Sequence, residues 1–344
     1  MKLAISMASS SLPQIVDTDN LYLAYRKARK GKGWQNTVKD FEVDLDFNLW
    51  RIQQSLVNKT FSTSPYKPKT IYEPKQRTIY KLPFDPDRVV QHALMNVVEP
   101  LWDSMFIYDS YSCRQGKGIH AGSLRTMEFV RRNTYCLQCG ISKFYPSINH
   151  DILFDIVKRK IKCPDTLWLF EDIIYSFLGG KNVPIGNYTS QWLGNLYMNE
   201  LDQLLKHKYH VRDYIRYCDD FLLFCNDKRY LGEMAKIIEY FLRERLQLEM
   251  SKCELYPVSR GVDFLGYRHF PHGYILVRKS TVKRVKKRLK ELPVKLANGE
   301  ITTEQYRSSL ASTMGWLQWA NSYNLRQSLN IDALMEVYSN GKTA

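Results

Sequence analysis

Apolar residues recur at helical spacing through Val38, Phe41, Leu45, Leu49, Ile52 and Leu56, which predicts one amphipathic helix early in the chain. Residues 66–83 change period. Tyr66-Lys67-Pro68-Lys69 and Arg77-Thr78-Ile79-Tyr80-Lys81-Leu82-Pro83 mix Pro, Lys and β-formers and read as extended strands. Asp85-Pro86 is expected to cap a helix carrying Val89, Val90, Ala93, Leu94, Val97 and Val98, which Pro100 should stop. Tyr135 to Ile141 reads as a buried strand, and Asn149 or His150 opens the next helix.

Helical spacing returns from Ser190 to about Lys206, with Leu193, Leu196, Tyr197, Leu201 and Leu204 on one side. Two short apolar runs follow, Tyr214-Ile215 and Phe221-Leu222-Leu223-Phe224-Cys225, with Tyr217-Cys218-Asp219-Asp220 between them as a tight hairpin. A helix through Leu231, Met234, Ile237, Ile238, Phe241 and Leu242 is expected next, then a strand pair around Gly261–Gly266 and Tyr274–Val277. The tail is helical, with Val282, Val285, Leu289 and Leu292 as an apolar stripe among six Lys and Arg residues. Strands and helices alternate without a regular βαβ period, so the expected class is α+β. No repeat, low-complexity tract or linker separates independent domains.

Charge narrows the partners. The 344 residues carry 50 Lys and Arg against 35 Asp and Glu, a formal charge of +15, and the excess points to a polyanion such as nucleic acid. The 23 Tyr suit base stacking as well as packing. Two basic stretches stand out: Arg26-Lys27-Ala28-Arg29-Lys30-Gly31-Lys32-Gly33, and the last basic helix, which reads as a nucleic-acid rail. Seven scattered cysteines form no disulfide framework. With no apolar leader or membrane-length run, a cytoplasmic protein is expected. Cys136-Leu137-Gln138-Cys139 has C-x-x-C spacing but lacks a second pair for zinc, and reads as two buried strand cysteines.

Asp219 and Asp220 carry the candidate chemistry. Adjacent carboxylates at a hairpin tip repel each other unless a divalent cation neutralises them, and such sites commonly serve phosphoryl transfer. A solvated turn is the alternative for an isolated Asp-Asp pair.

The order of segments resembles the reverse transcriptases of bacterial retroelements over nearly the whole chain. Leu82-Pro83-Phe84-Asp85 to Leu94 is similar to the first fingers motif, and Asp109 to His120 to the second. Ile141-Ser142-Lys143-Phe144-Tyr145-Pro146-Ser147-Ile148 follows the palm strand motif, and Tyr217-Cys218-Asp219-Asp220 matches Y-x-D-D. Leu246 to Lys252 and Gly261 to Tyr267 resemble the two motifs after it. Ile185-Gly186-Asn187-Tyr188-Thr189-Ser190-Gln191 follows [ILV]-G-x-x-x-S-Q, the variant characteristic of diversity-generating retroelements.

The resemblance implies a right-hand polymerase. Fingers are expected at 66–134 and an antiparallel palm at 135–272, with a fingers insertion near 160–190. A helical thumb should occupy 273–344, behind a basic segment and helix at 1–65. It implies RNA-directed DNA synthesis that copies a retroelement template RNA into error-prone cDNA, from a DNA or RNA primer and dNTPs. Mg²⁺ or Mn²⁺ would be held by Asp219, Asp220 and the Ile141 position. Lys252 would protonate the leaving pyrophosphate, and Arg114 and Lys117 would clamp the triphosphate. Tyr145 would lie beneath the sugar, and Gln191, with Ile185, along the template and nucleotide. A small basic accessory protein that forms an oligomer is the implied protein partner.

One position departs from the family. The palm motif there begins with a metal-bridging Asp, and here Gly140 stands in that place. Asp109, Asp151 and Asp155 do not obviously substitute. Impaired catalysis is therefore expected. The alternative is an inactive scaffold of the same fold that binds RNA and the accessory protein.

Overall fold

A computed structural model describes residues 12–72, 76–331 and 334. The chain opens with α1 (Leu12–Ile15) and α2 (Thr18–Arg29), the latter capped by the Asp17 carboxylate. The single helix expected across 38–56 is two, α3 (Asn36–Glu42) and α4 (Leu45–Val57). Asp44 breaks the run by leaving helical geometry and accepting a hydrogen bond from the Phe47 N–H, a side-chain cap that restarts the helix. Strands β1 (Lys67–Ile71) and β2 (Arg77–Lys81) pair antiparallel. After a wide turn at Phe84–Arg88, α5 spans Val89–Met105 and does not stop at Pro100. Val98 and Trp102 are fully buried on either side of that proline, so packing holds the helix in line despite one lost N–H.

Helix α6 (Ile119–Arg132) leads into the central strand β3 (Tyr135–Ile141). Short α7 (Phe144–Ser147) and then α8 (His150–Lys160), α9 (Pro164–Tyr175) and α10 (Tyr188–Gln203) follow. The hairpin β4 (Asp213–Tyr217) and β5 (Asp220–Cys225), helix α11 (Lys228–Leu246) and β6 (Met250–Pro257) complete an antiparallel sheet of order β4-β5-β3-β6. Both faces are covered, as the alternation of the strands requires. Leu137, Cys139, Ile141, Phe221 and Leu223 join the main core, while Cys136, Leu222, Phe224 and Tyr256 join a second one. The C-x-x-C cysteines are therefore buried on opposite faces of β3 and hold no common ion.

The strand pair expected near 261–277 is a three-stranded sheet: β7 (Val262–Phe264), β8 (Tyr267–His269) and β9 (Ile275–Val277). Leu265 and Gly266 both have positive φ, which makes a two-residue turn and inserts the extra strand. Helices α12 (Lys279–Ala297), α13 (Thr303–Gln318) and α14 (Tyr323–Ser328) form a C-terminal unit around Val285, Leu289, Leu292, Tyr306, Leu310 and Leu317. It locks to β8 where Tyr267 stacks on Trp316 and to α6 where His120 stacks on Trp319, with ring centroids 4.7 and 4.2 Å apart. The architecture is the α+β fold expected, with an antiparallel palm and a helical thumb. Among the described residues, no helix is long and apolar enough to cross a membrane.

Candidate active site

The hairpin turns through Cys218 and Asp219, with Tyr217 paired to Asp220 across it. Cys218 has φ of +58°, a left-handed conformation that costs a residue with a side chain of order 1 kcal/mol. What holds it is Arg216, which is wholly buried and donates from Nη1 to the Cys218 carbonyl at 3.0 Å. Burial alone would lower the Arg216 pKa. The fully buried Asp202 of α10 opposes this and keeps the guanidinium charged, accepting from Nε at 2.8 Å. Asp202 also accepts from the Tyr214 hydroxyl at 2.7 Å. Asn195 of α10 accepts from Arg216 Nη1 at 3.1 Å and donates to the Ser112 carbonyl at 2.8 Å. The carboxylate turn, the long helix α10 and the loop before α6 are thus joined through one guanidinium.

None of these three supporting residues was singled out from the sequence. The usable signal was a lone Arg at an apolar phase of a buried strand and a lone Asp on an apolar helix. Both are almost never fully buried unless paired.

Gly140 is paired with Asp220 on one side and Lys252 on the other, so the three positions form one rung of the sheet. Its φ is not positive, and the ladder from β3 to β6 shifts register just after it, between Gly140 and Ile141. A β-carbon there would meet Asp220 Oδ1 at 3.0 Å, Ser251 Oγ at 3.3 Å and Lys252 Cβ at 3.9 Å. A side chain at 140 would therefore point among the groups expected to do chemistry. Lys252 Nζ lies 3.6 Å from Glu254 and stays partly exposed. Beside this rung, Cys139 and Cys253 face each other. The Cys139 thiol donates to Cys253, whose own thiol is drawn down to about 7.

Tyr145 lies against the turn, within 3.5 Å of Cys218 Sγ, and its ring packs on Gly194 of α10, where a β-carbon would approach to 3.0 Å. Burial first, then the neighbouring Cys218 thiol and Asp219 carboxylate, push its phenol well up. Ile185 and Gln191 bracket the entry to α10. The Ile185 carbonyl accepts from Tyr80 N–H of β2 at 2.8 Å, and Ser190 Oγ donates to the Pro184 carbonyl at 2.7 Å. Gly186 has φ of +117° with the Tyr80 carbonyl 3.3 Å from where a β-carbon would be, so the segment lies flush on the β1–β2 hairpin. Gln191 is exposed at the first turn of α10.

Arg114 and Lys117 are placed differently from expectation. The Arg114 guanidinium is almost fully buried. It pairs with Asp103 and donates to the Ile107 and Ser110 carbonyls at 2.7 and 3.0 Å. Lys117 donates to the Tyr108 carbonyl at 2.9 Å, with its ammonium 3.4 Å from the Tyr108 ring centroid. Both hold the loop before α6 in shape, Arg114 from a buried position and Lys117 from a partly exposed one. The Ile141 side chain lies in the core, so only its backbone carbonyl can serve as a ligand.

The donor set falls short of what two cations would require. Among the described residues, no group of three His, Cys, Asp or Glu side chains is placed to hold a metal ion. Asp109 pairs with Arg125, Asp155 with Lys158, and Asp151 accepts from the Tyr175 hydroxyl, so each is engaged elsewhere. Asp219 and Asp220 supply two carboxylates, and Gly140 supplies none.

Residues 67–269 match the family described as reverse transcriptase (RNA-dependent DNA polymerase). Protein YkfC of Escherichia coli K12 is 25% identical, over 59% of this chain and 67% of its own length. Retron Ec73 reverse transcriptase of Escherichia coli is 26% identical, over 55% of this chain and 64% of its own. A 91 kDa protein in the cob intron of Schizosaccharomyces pombe is 23% identical, and the match spans 29% of it. The chain thus spans about two thirds of the bacterial relatives and under a third of the fungal one.

Proposed function

Because this chain belongs to the reverse transcriptase family, we propose that it is built for RNA-directed DNA synthesis, with a carboxylate set one member short. The observation that carries this is the rung Asp220–Gly140–Lys252, where the only position without a side chain is the one facing Asp220. Asp219 and Asp220 would hold divalent cations, with Mg²⁺ or Mn²⁺ fitting oxygen ligands of this kind. Lys252 would serve the departing pyrophosphate, and Tyr145, against the turn and α10, would select the sugar. The Ile185–Gln191 segment supports the diversity-generating type, hence error-prone copying and a basic accessory protein as partner. Template RNA, a DNA or RNA primer and dNTPs are the substrates on this reading.

A second reading, a template-binding scaffold that does not polymerise, is favoured by Gly140 alone. Primer extension on an RNA template separates the two. Gly140→Asp should raise the rate roughly a hundredfold or more, equivalent to about 3 kcal/mol of barrier. Asp219→Ala in that background should abolish extension. Equal extension with and without the new carboxylate would remove the metal-ligand assignment.

A further inference from the structure

The basic cluster of the N-terminal region meets the first turns of α5 in a way the active site does not use. Arg88, the αR residue that leads into α5, recurs at four-residue spacing with His92 and Asn96 on that helix, so the three line one side. Lys27, from the end of α2, reaches this face and donates to Asn96 Oδ1 at 2.6 Å. The charge of Lys32, in the glycine-containing loop after α2, bears on both Arg88 and His92. Arg88 makes one long contact, 3.4 Å to the Leu82 carbonyl, and it and Lys32 are both partly buried. Burial holds the pKa of each below its ordinary value, and for Lys32 the Arg88 charge adds to it.

Glu42 pairs with Arg29 and Glu99 accepts from the Tyr188 hydroxyl, whereas Asp85 pairs with Arg51 and Asp87 accepts from the Ser64 N–H through one oxygen each, the second oxygen of each being buried without a partner. His92 Nδ1 is buried without a hydrogen-bond partner, and burial together with Lys32, Lys27 and Arg88 presses its pKa down to about 4. Uncompensated, part-buried cations around an unsatisfied polar atom are what an anion site looks like before its anion arrives.

We propose that Lys27, Lys32, Arg88 and His92 bind a phosphate group of a nucleic acid strand, at a site separate from the carboxylate turn. The His92 ring stacks on Tyr188 at 4.4 Å, and Gln91 on the same helix accepts from the Tyr188 N–H at 3.2 Å. Tyr188 is the first residue of α10, so the bound phosphate would sit directly behind the Ile185–Gln191 segment. The strand is thereby anchored where α10 begins. The same chemistry would accept the phosphates of a free nucleotide, and the test has an arm for each source.

The proposal rests on the reading that this chain binds nucleic acid, not on catalysis, so the Gly140 chain is the right material. Binding of a fluorescein-labelled oligouridylate by anisotropy, across a salt series, tests that reading. The double variant Lys32→Gln/Arg88→Gln, compared with the control pair Lys39→Gln/Lys236→Gln of equal charge change, tests the site. The site variant should bind at least about tenfold more weakly, with its salt slope reduced by about 1.4, and the control pair should move neither by as much.

The second arm keeps the parent chain. With ¹³C-labelled histidine, the His92 resonance should titrate upward from about 4 when the oligouridylate is added and less with tripolyphosphate at equal phosphate. An equal response to tripolyphosphate would reassign the site to free nucleotides and overturn the strand. If site and control variants bind alike, or the His92 resonance ignores both probes, there is no phosphate site here.

Discussion

Gly140 stands directly opposite Asp220 on the central strand pair, and a β-carbon at 140 would lie 3.0 Å from Asp220 Oδ1. No positive φ asks for glycine at this position, and in a strand interior it forfeits side-chain packing. Restoring a carboxylate should therefore have a consequence for stability that is independent of turnover. In chelator, Gly140→Asp places two negative charges face to face and should lose about 1–3 kcal/mol. Saturating Mg²⁺ should recover about as much by binding the folded state. Thermal melts should show a metal-dependent rise of a few degrees in the variant and almost none in the parent. A variant whose melting ignores Mg²⁺ would mean that the introduced carboxylate shares no ion with Asp219 and Asp220.

The thumb helix α12 buries Thr281, Val285, Leu289 and Leu292 and leaves Lys283, Arg284, Lys286, Lys287, Arg288 and Lys290 in solvent. Its only ion pair among the described residues is Lys287 with Glu291 at 3.7 Å, so most of this charge is free for phosphates. Replacing Lys283, Lys286 and Lys290 by Gln should weaken binding of structured RNA and reduce the salt slope by about 2 to 3, without loss of stability. An unchanged slope would assign the helix to an ordinary solvated face.

Much of this arrangement was legible in the chain. The hairpin, the buried strand carrying Gly140 and the stripe of α12 from Val285 to Leu292 follow from period alone, because each has one face committed to a core. At the start of that stripe Thr281 is buried and Val282 only half-buried. Capping and packing were less legible. Asp44 splits an apolar pattern that reads as one helix, and Pro100 fails to end another because Val98 and Trp102 hold both sides. Arg114 and Lys117 illustrate the harder limit. Composition places cations near a loop, but whether they face outward depends on carbonyls such as Ile107, Ser110 and Tyr108, which no pattern announces. Ligand types can be read from sequence more readily than the partners that claim them.

Cys253 gives a direct probe of the Asp220–Gly140–Lys252 rung. It sits across from Cys139, one residue from both Gly140 and Lys252, and accepts from the buried Cys139 thiol, which draws its own pKa down to about 7. Burial pushes Cys136 up, and Cys139 is raised as the donor of the pair, so neither offers a thiolate near neutrality. Iodoacetamide at pH 7 should label Cys253 ahead of Cys136 and Cys139, with half-maximal rate near that pH. Cys139→Ala removes the donor, so the Cys253 profile should move up toward the ordinary thiol value. Peptide mass spectrometry over a pH series reads both effects, and an unmoved profile would dissolve the pairing.

The Arg216–Asp202 pair should be the most consequential ionic interaction in the palm. Both side chains are fully buried, and Asp202 accepts from Tyr214 as well as from Arg216. Arg216→Met leaves that carboxylate without its counter-charge and frees the Cys218 carbonyl, and should cost about 3–5 kcal/mol in urea denaturation. Arg216→Met combined with Asp202→Leu should recover a large part of this, since the buried charge is removed with its partner. Arg216→Lys preserves the charge but not the fork that spans Asp202, Asn195 and Cys218, so it should fall between parent and Met. Activity should separate from stability in the series. In a Gly140→Asp background, the double variant should fold yet extend primers poorly, because Cys218 keeps its positive φ with no donor on its carbonyl. Full activity in the stable double variant would show that the turn positions Asp219 and Asp220 without help from Arg216.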